Sequence, residues 1–172
     1  MTTDVIIIGA GASGLMCAME AGRRGRSVLV LDHSAEIGRK ILVSGGGRCN
    51  FTNRIVSGDN YICGNADFPV SALSRYTPED FTALLDRHGI GYHEKEAGQL
   101  FCDDSSRRIV HMLKLECDRA SVKFFLNCKI LEVRRLDVAR GSRFSVATDL
   151  GSFESSSLVI ATGGLSWPGL GA

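Results

Sequence analysis

Hydrophobic positions along the chain fall into two kinds of run. Blocks rich in Val, Ile and Leu occur at Val5–Ile8, Ser27–Leu31, Val122–Leu126 and Leu158–Ala161; near-continuous apolar runs of this length suit parallel strands buried on both faces. Between them, apolar residues recur three and four apart: Leu15, Ala18, Met19 and Gly22, then Phe81, Leu84, Leu85 and His88, then Ile109, Leu113, Cys117 and Ala120. That spacing predicts helices. The middle helix has a marked start in Thr77-Pro78-Glu79-Asp80, with an N-cap, a first-turn proline and acids, and a stop at Gly89. His88 lies on its apolar side and reads as a packed residue rather than a base. The third helix runs from Ser105 or Ser106 to about Ala120, with Arg107, Arg108, Lys114 and Arg119 mostly off its stripe as a solvated face. A different pattern, short alternation, covers 129–154 in three pieces, Lys129–Arg135, Arg143–Thr148 and Gly151–Glu154, and predicts a small antiparallel meander. Together these elements make an α/β fold, a parallel sheet with helices and an inserted β-meander.

Length and charge narrow the picture. The 172 residues correspond to one domain of roughly 150 residues, or one domain and a fragment. Hydrophobic residues make up 44% and charged ones 23%, which places the chain among ordinary globular proteins. The formal charge is +1, so no strong field attracts nucleic acid or an anionic membrane, and a polyanion partner would need a local patch. The most apolar stretch, Val5 to Ala21, is broken by Gly9, Gly11, Ser13 and Gly14 and suits neither a membrane span nor a signal peptide. A cytoplasmic protein with no membrane and no nucleic-acid partner is expected. The six cysteines, at 17, 49, 63, 102, 117 and 128, show no zinc or disulfide spacing and are expected as reduced thiols.

Glycine carries the chemistry. The chain has twenty glycines, half of which fall in three clusters at 9–14, 45–47 and 163–171, and such clusters bring backbone close to a ligand. Gly9, Gly11 and Gly14 have the G-x-G-x-x-G spacing directly after the first strand and before a helix. The first permits the turn, the second admits a pyrophosphate, and the third lets helix and sheet pack, while the helix amides beyond Ala12 and Ser13 face the phosphates. Asp32 ends the second strand, eighteen residues past Gly14, where a carboxylate accepts both hydroxyls of an adenosine ribose and repels a 2′-phosphate. His33 neighbours it. This β-α-β unit predicts dinucleotide binding without separating NAD from FAD.

The second cluster is unusual for an NAD dehydrogenase. Gly38-Arg39-Lys40 is followed by Ser44-Gly45-Gly46-Gly47-Arg48-Cys49-Asn50-Phe51-Thr52-Asn53. Three adjacent glycines do not build core; their amides can line a ligand as a nest, with Arg39, Lys40 and Arg48 adding positive charge. A flexible linker is the alternative, disfavoured by the shaped polar side chains that follow. Cys49 reads either as a small packed residue or as a thiol near a cofactor. With Ala161-Thr162-Gly163-Gly164-Leu165-Ser166, and with Ser71–Tyr76 and Gly98–Phe101 in support, these segments resemble the YhiN/BaiN-like family of FAD-dependent flavoproteins across essentially the whole chain. The 44–53 segment is the most specific part. Two departures are Cys102 where the family has Pro and Trp167-Pro168 where it has Tyr-Pro.

The resemblance implies an FAD-binding domain of glutathione-reductase type, with FAD held by the residues of all three clusters, from Gly9 through Asn50 to Ala161, Thr162, Gly163 and Gly164, and with the backbone near Ile130 against the adenine. Trp167 would either cover the flavin or cap a core. Family chains continue into a largely β substrate domain, so residues 1–172 are expected to be an incomplete flavin domain. Function follows as a flavin oxidoreductase passing hydride from NAD(P)H or an organic substrate to an acceptor such as dioxygen or an enone. Catalytic residues are not assigned. A disulfide reductase is disfavoured, because the thiol nearest Cys49 in sequence is Cys63. The alternative is a non-catalytic fragment that holds FAD or its ADP half. The oligomeric state is left open.

Overall fold

A computed structural model describes residues 1–136 and 142–165. In chain order the elements are β1 (Thr2–Ile8), α1 (Ala12–Arg23), β2 (Val28–Leu31), α2 (Arg39–Val43), β3 (Asn50–Asn53), α3 (Val70–Arg75), α4 (Pro78–Arg87), β4 (Tyr92–Glu94), β5 (Gln99–Cys102), α5 (Ser106–Arg119), β6 (Lys123–Phe125), β7 (Ile130–Arg135), β8 (Phe144–Thr148) and β9 (Gly151–Ile160). They form two compact units, Met1–Ile41 with Leu113–Ala172, and Leu42–Met112.

The first unit is a six-stranded sheet in the order β6-β2-β1-β9-β8-β7. Its four strands β6-β2-β1-β9 are parallel and have the 3-2-1-4 strand order of the doubly wound nucleotide-binding fold. The apolar runs that predict central strands are the ones buried here: Ile6, Ile7, Leu29, Val30 and Leu31 are wholly inaccessible. Ile6, Ile8, Leu29, Leu31, Cys128, Val146 and Phe153 form one cluster, against which Phe125 and Ile130 pack. Helix α1 buries Leu15, Ala18 and Met19 and ends where Gly25, at φ +75°, takes a left-handed turn.

One expectation needs correction. The third piece of the meander and the last apolar strand are a single ten-residue strand. β9 pairs antiparallel with β8 over 151–155 and parallel with β1 over 154–160. The polar run Ser155-Ser156-Ser157 lies between the two expected pieces; the Ser155 hydroxyl is buried and donates to the Ser157 carbonyl at 2.8 Å, so the strand continues through it. The meander therefore continues the parallel sheet at its β9 edge.

The second unit holds a three-stranded antiparallel sheet, β3-β5-β4. Helix α4 starts as expected: Thr77 and Asp80 exchange side-chain and backbone bonds in a capping box. Its buried residues are Leu84 and Leu85, and the Phe51 ring packs against Phe81, tilted at 5.6 Å, and edge-on against Tyr92 at 5.7 Å. The small sheet is not apparent from the sequence, because strands of three or four residues give no measurable alternation. His88 is half-buried at the end of α4. Among the described residues, no helix is long and apolar enough to cross a membrane.

Candidate functional site

The carboxyl edge of the parallel sheet is built by register. Ile8 is level with both Leu31 and Ile160, so Gly9, Asp32 and Ala161 leave their strands side by side. Backbone bonds fasten them: Gly9 N–H to the Leu31 carbonyl at 2.8 Å, Ala161 N–H to Ile8 at 2.8 Å, and Asp32 N–H to Phe125 at 3.0 Å. Gly9 has φ +110°, and a Cβ there would collide with the Ala161 carbonyl; a Cβ on Gly14 would collide with the Gly9 carbonyl. Gly11 differs. Nothing lies within 4 Å of the position its Cβ would take. Gly9 and Gly14 are thus required by the protein's own packing, whereas Gly11 borders open space. It is the N-cap of α1, with no side-chain cap and no acid in the first turn, and Ala12 and Ser13 are exposed. Uncapped amides at a helix start offer donors to an anion.

Asp32 sits at this edge, but with partners that spacing alone does not reveal. Its Oδ2 accepts from the Ala10 N–H at 2.6 Å and its Oδ1 from the Ser34 N–H at 2.7 Å, and the side chain is 14% exposed. The carboxylate braces the glycine turn against the end of β2. An ionised carboxylate has about four lone-pair sites, so two bonds leave capacity for a ligand hydroxyl. His33 is exposed, its Nδ1 3.7 Å from Asp32 Oδ1. Gly38 donates to the Ala10 carbonyl at 2.8 Å, Arg39 reaches the Ser34 hydroxyl at 3.4 Å, and the Lys40 ammonium donates to the Gly164 carbonyl. Gly163 has φ +76° and faces the same lysine. Ile130 opens β7 just after a stretch stitched to the same edge: Asn127 donates to Ser34 at 3.0 Å and Cys128 to Asp32 at 2.9 Å. The structure therefore gathers Gly9–Gly14, Asp32, His33, Gly38–Lys40, Ile130 and Ala161–Gly164 within one unit. Ser166 and Trp167 lie outside the described residues.

Ser44–Asn50 belongs to the second unit. Ser44–Gly47 is a single tight turn in which Gly45, Gly46 and Gly47 all have positive φ, at 57°, 64° and 86°, so the triplet is a fixed backbone shape and not a linker. Gly45 lies under the Phe101 ring, which a Cβ would meet at 2.6 Å. Arg48 and Asn50 are exposed. Cys49 is buried at φ +53°; burial pushes its thiol up, partly offset by a hydrogen bond from Ser44. All six cysteines are free. The same unit contains a pair that sequence reasoning missed: His93 Nδ1 lies 2.7 Å from Asp103 Oδ1, its ring stacks on Phe101 at 6.4 Å, and Lys95 Nζ stands 4.2 Å from the Phe101 centroid. No local spacing signals a pair ten residues apart, one on β4 and the other just past the end of β5. Among the described residues, no group of three or more His, Cys, Asp or Glu forms a metal cluster.

A 3-2-1-4 sheet with a glycine-lined edge and an acid at the tip of the second strand defines a Rossmann-type nucleotide-binding domain. Within that class, the chain belongs to the HI0933-like family, whose Rossmann-domain model matches residues 3–172. It is 50% identical over 170 residues to a ribosomal RNA dihydrouridine synthase of Haemophilus influenzae, covering 99% of this chain and 42% of that protein. A protein of the same name from Escherichia coli is 50% identical over 169 residues, at 98% and 41% coverage. A 3-dehydro-bile acid delta(4,6)-reductase of Clostridium scindens is 30% identical, at 96% and 40%. The chain thus spans about two fifths of the length of the curated relatives it matches. Among solved structures, a 3-ketosteroid-delta4-(5alpha)-dehydrogenase of Rhodococcus jostii superposes with a TM-score of 0.68 at 16% identity, covering 95% of this chain and 46% of that one. A glycine oxidase of Geobacillus kaustophilus gives 0.62 at 15%, with 94% and 55% covered. These structural likenesses establish the fold, and the family resemblance read from 38–40, 44–53 and 161–166 holds.

Proposed function

We propose that this chain holds FAD within a flavin-dependent reductase of carbon–carbon double bonds conjugated to a carbonyl, and that the double bond belongs to uridine in ribosomal RNA. The observation that carries the cofactor half is the open space at Gly11, between two glycines that the protein's own packing already requires. A pyrophosphate fits there against the first-turn amides of α1. Asp32 keeps the Ala10 turn in place while its spare lone pairs accept ribose hydroxyls, and Lys40 holds the loop after β9 through the Gly164 carbonyl. The antiparallel insertion β7–β8 between the third and fourth parallel strands favours FAD over a plain NAD domain. When bound, FAD supplies two-electron chemistry, taking reducing equivalents from NAD(P)H and delivering them to the acceptor.

The ribosomal RNA dihydrouridine synthases and the 3-dehydro-bile acid reductase share one acceptor chemistry. Forming dihydrouridine reduces a ring double bond conjugated to a carbonyl, and a reductase of a 3-dehydro steroid acts on the same kind of system. Near-neutral charge removes a strong whole-chain attraction for RNA, but recognition of a single nucleoside needs only local contacts, and two relatives at 50% identity carry the ribosomal RNA name. A small unsaturated ketone is the second reading, favoured by the reductase at 30% identity.

The test is the visible spectrum of the full-length protein. Flavin bands that bleach with NADH or NADPH, and return on adding unmodified ribosomal RNA that gains two hydrogens by mass, are expected. Bands that return only with an unsaturated ketone select the second reading. Bands that never bleach identify a non-catalytic holder of FAD, and protein purified without flavin that takes none up overturns the cofactor assignment.

A further inference from the structure

We infer that an arginine-lined cavity at the C-terminal ends of α1 and α5 is a contact for the RNA phosphate backbone, an inference that rests on the ribosomal RNA reading above. The two helix ends meet closely: a Cβ on Gly22 would lie 2.6 Å from the Ala120 carbonyl. Beside that contact is a cavity of about 510 Å³ lined by Arg23, Arg26, Arg119, Glu116 and the Gly25 turn. Glu116 organises it. Its side chain is only 8% exposed; one oxygen pairs with Arg23 and the other accepts from Arg119 Nη1 at 2.7 Å. A buried carboxylate thus clamps two guanidiniums that would otherwise repel each other. Each guanidinium has five N–H donors. Arg23 spends its bonds on Glu116 and Glu20, and Arg119 on Glu116, so both retain donors for an oxyanion in the planar fork geometry that suits phosphate.

The third arginine makes the cavity cationic. Arg26 acts on Asp4 through its field, and three arginines line the cavity against one glutamate, with Glu20, outside the lining, paired to Arg23. Arg23 and Arg119 stand in the last turns of α1 and α5, where the helix dipole favours cations, but hydrogen-bonded capping does not account for them. The α1 carbonyls of Glu20, Ala21 and Gly22 are already taken by the amides of Arg24, Gly25 and Arg26, and those of Cys117 and Asp118 by Val122 and Ser121. Position decides the ligand class. Helix α1 has 12 residues, so at ~1.5 Å per residue the cavity lies roughly 18 Å from the glycine turn. A dinucleotide seated at the glycine turn is not the ligand of both ends, so this cavity takes a separate anion, and the ribosomal RNA reading supplies one in the phosphate backbone.

The experiment measures binding of the full-length protein to in vitro transcribed ribosomal RNA over a series of KCl concentrations. In the Arg26→Ala/Arg119→Ala variant, the slope of log K against log salt is expected to fall by about 2 and affinity at low salt by tenfold or more. FAD content reports that the variant is folded, and Arg119→Lys, which keeps the charge without the fork, is expected to fall between it and wild type. Wild-type slope and affinity in the folded double variant overturn the inference, as does a wild-type protein whose RNA binding is insensitive to salt. Dihydrouridine formation is read on the same samples. Its absence from the wild type sinks the ribosomal RNA reading, while its presence with an unchanged slope in the variant sinks only this contact.

Discussion

Gly11 and Gly14 belong to one motif and answer to different forces. A methyl group at Gly14 meets the Gly9 carbonyl, whereas at Gly11, with φ −82°, it meets nothing. Gly14→Ala is therefore expected to destabilise the protein without cofactor by ~1–3 kcal/mol through overpacking. Gly11→Ala should cost under about 1 kcal/mol at this N-cap and yet abolish FAD retention, because its methyl fills the space a phosphate needs. Thermal melts of the apoprotein and the flavin-to-protein ratio separate the two. Asp32 couples both effects. Asp32→Ala leaves the Ala10 and Ser34 amides without their acceptor and should lower apoprotein stability by ~1–3 kcal/mol and FAD affinity by about tenfold or more, measured by urea titration and by flavin fluorescence. Unchanged affinity would remove the ribose from Asp32. The residue's location at the strand tip is readable from its spacing; its two backbone partners are not, since Ala10 is twenty-two positions away.

Helix boundaries are the best-encoded feature at the level of elements, because capping is local chemistry. At α4, the Thr77 N–H and then the Thr77 hydroxyl hold the Asp80 carboxyl below its ordinary value of 3.8. A depressed native pKa means this stabilisation is fully present above the unfolded value and is lost as pH falls through the native one. Wild type should therefore lose stability on acidification below about pH 4, while Asp80→Asn, lacking the titrating group, should show a flatter profile there and lower stability at neutral pH; denaturant midpoints against pH check this. Strand continuity is less legible. The serines at 155–157 divide β9 into two apparent pieces, and only pairing with β8 on one side and β1 on the other makes them one strand. Unit 2's sheet is hidden for a related reason: Asn50–Asn53 and Tyr92–Glu94 are too short to show a period, and their partner β5 is what orders them.

For the whole molecule, burial sorts six similar thiols into different reactivities. Cys63 is exposed, whereas Cys49, Cys102, Cys117 and Cys128 are buried, and burial, followed by the nearby Asp118 charge, pushes the Cys117 thiol up to about 11. A maleimide applied to native protein near pH 7.5, about where unperturbed thiols are still mostly protonated, should label Cys63 first and Cys117 last, with all six reacting in denaturant; peptide mass spectrometry follows each. Rapid labelling of Cys49 would show that its glycine turn opens. What the sequence determined by itself was the parallel β-α-β core, its helix caps and the glycine-lined strand ends, because periodicity, capping and positive-φ turns act between residues a few positions apart. Tertiary structure alone decided that β9 runs unbroken, that Asp32 braces Ala10, that His93 meets Asp103, and that Glu116 clamps Arg23 to Arg119. Each of those depends on groups brought together by strand register or helix crossing, and the energy of such a contact leaves no trace in the spacing of the residues that make it.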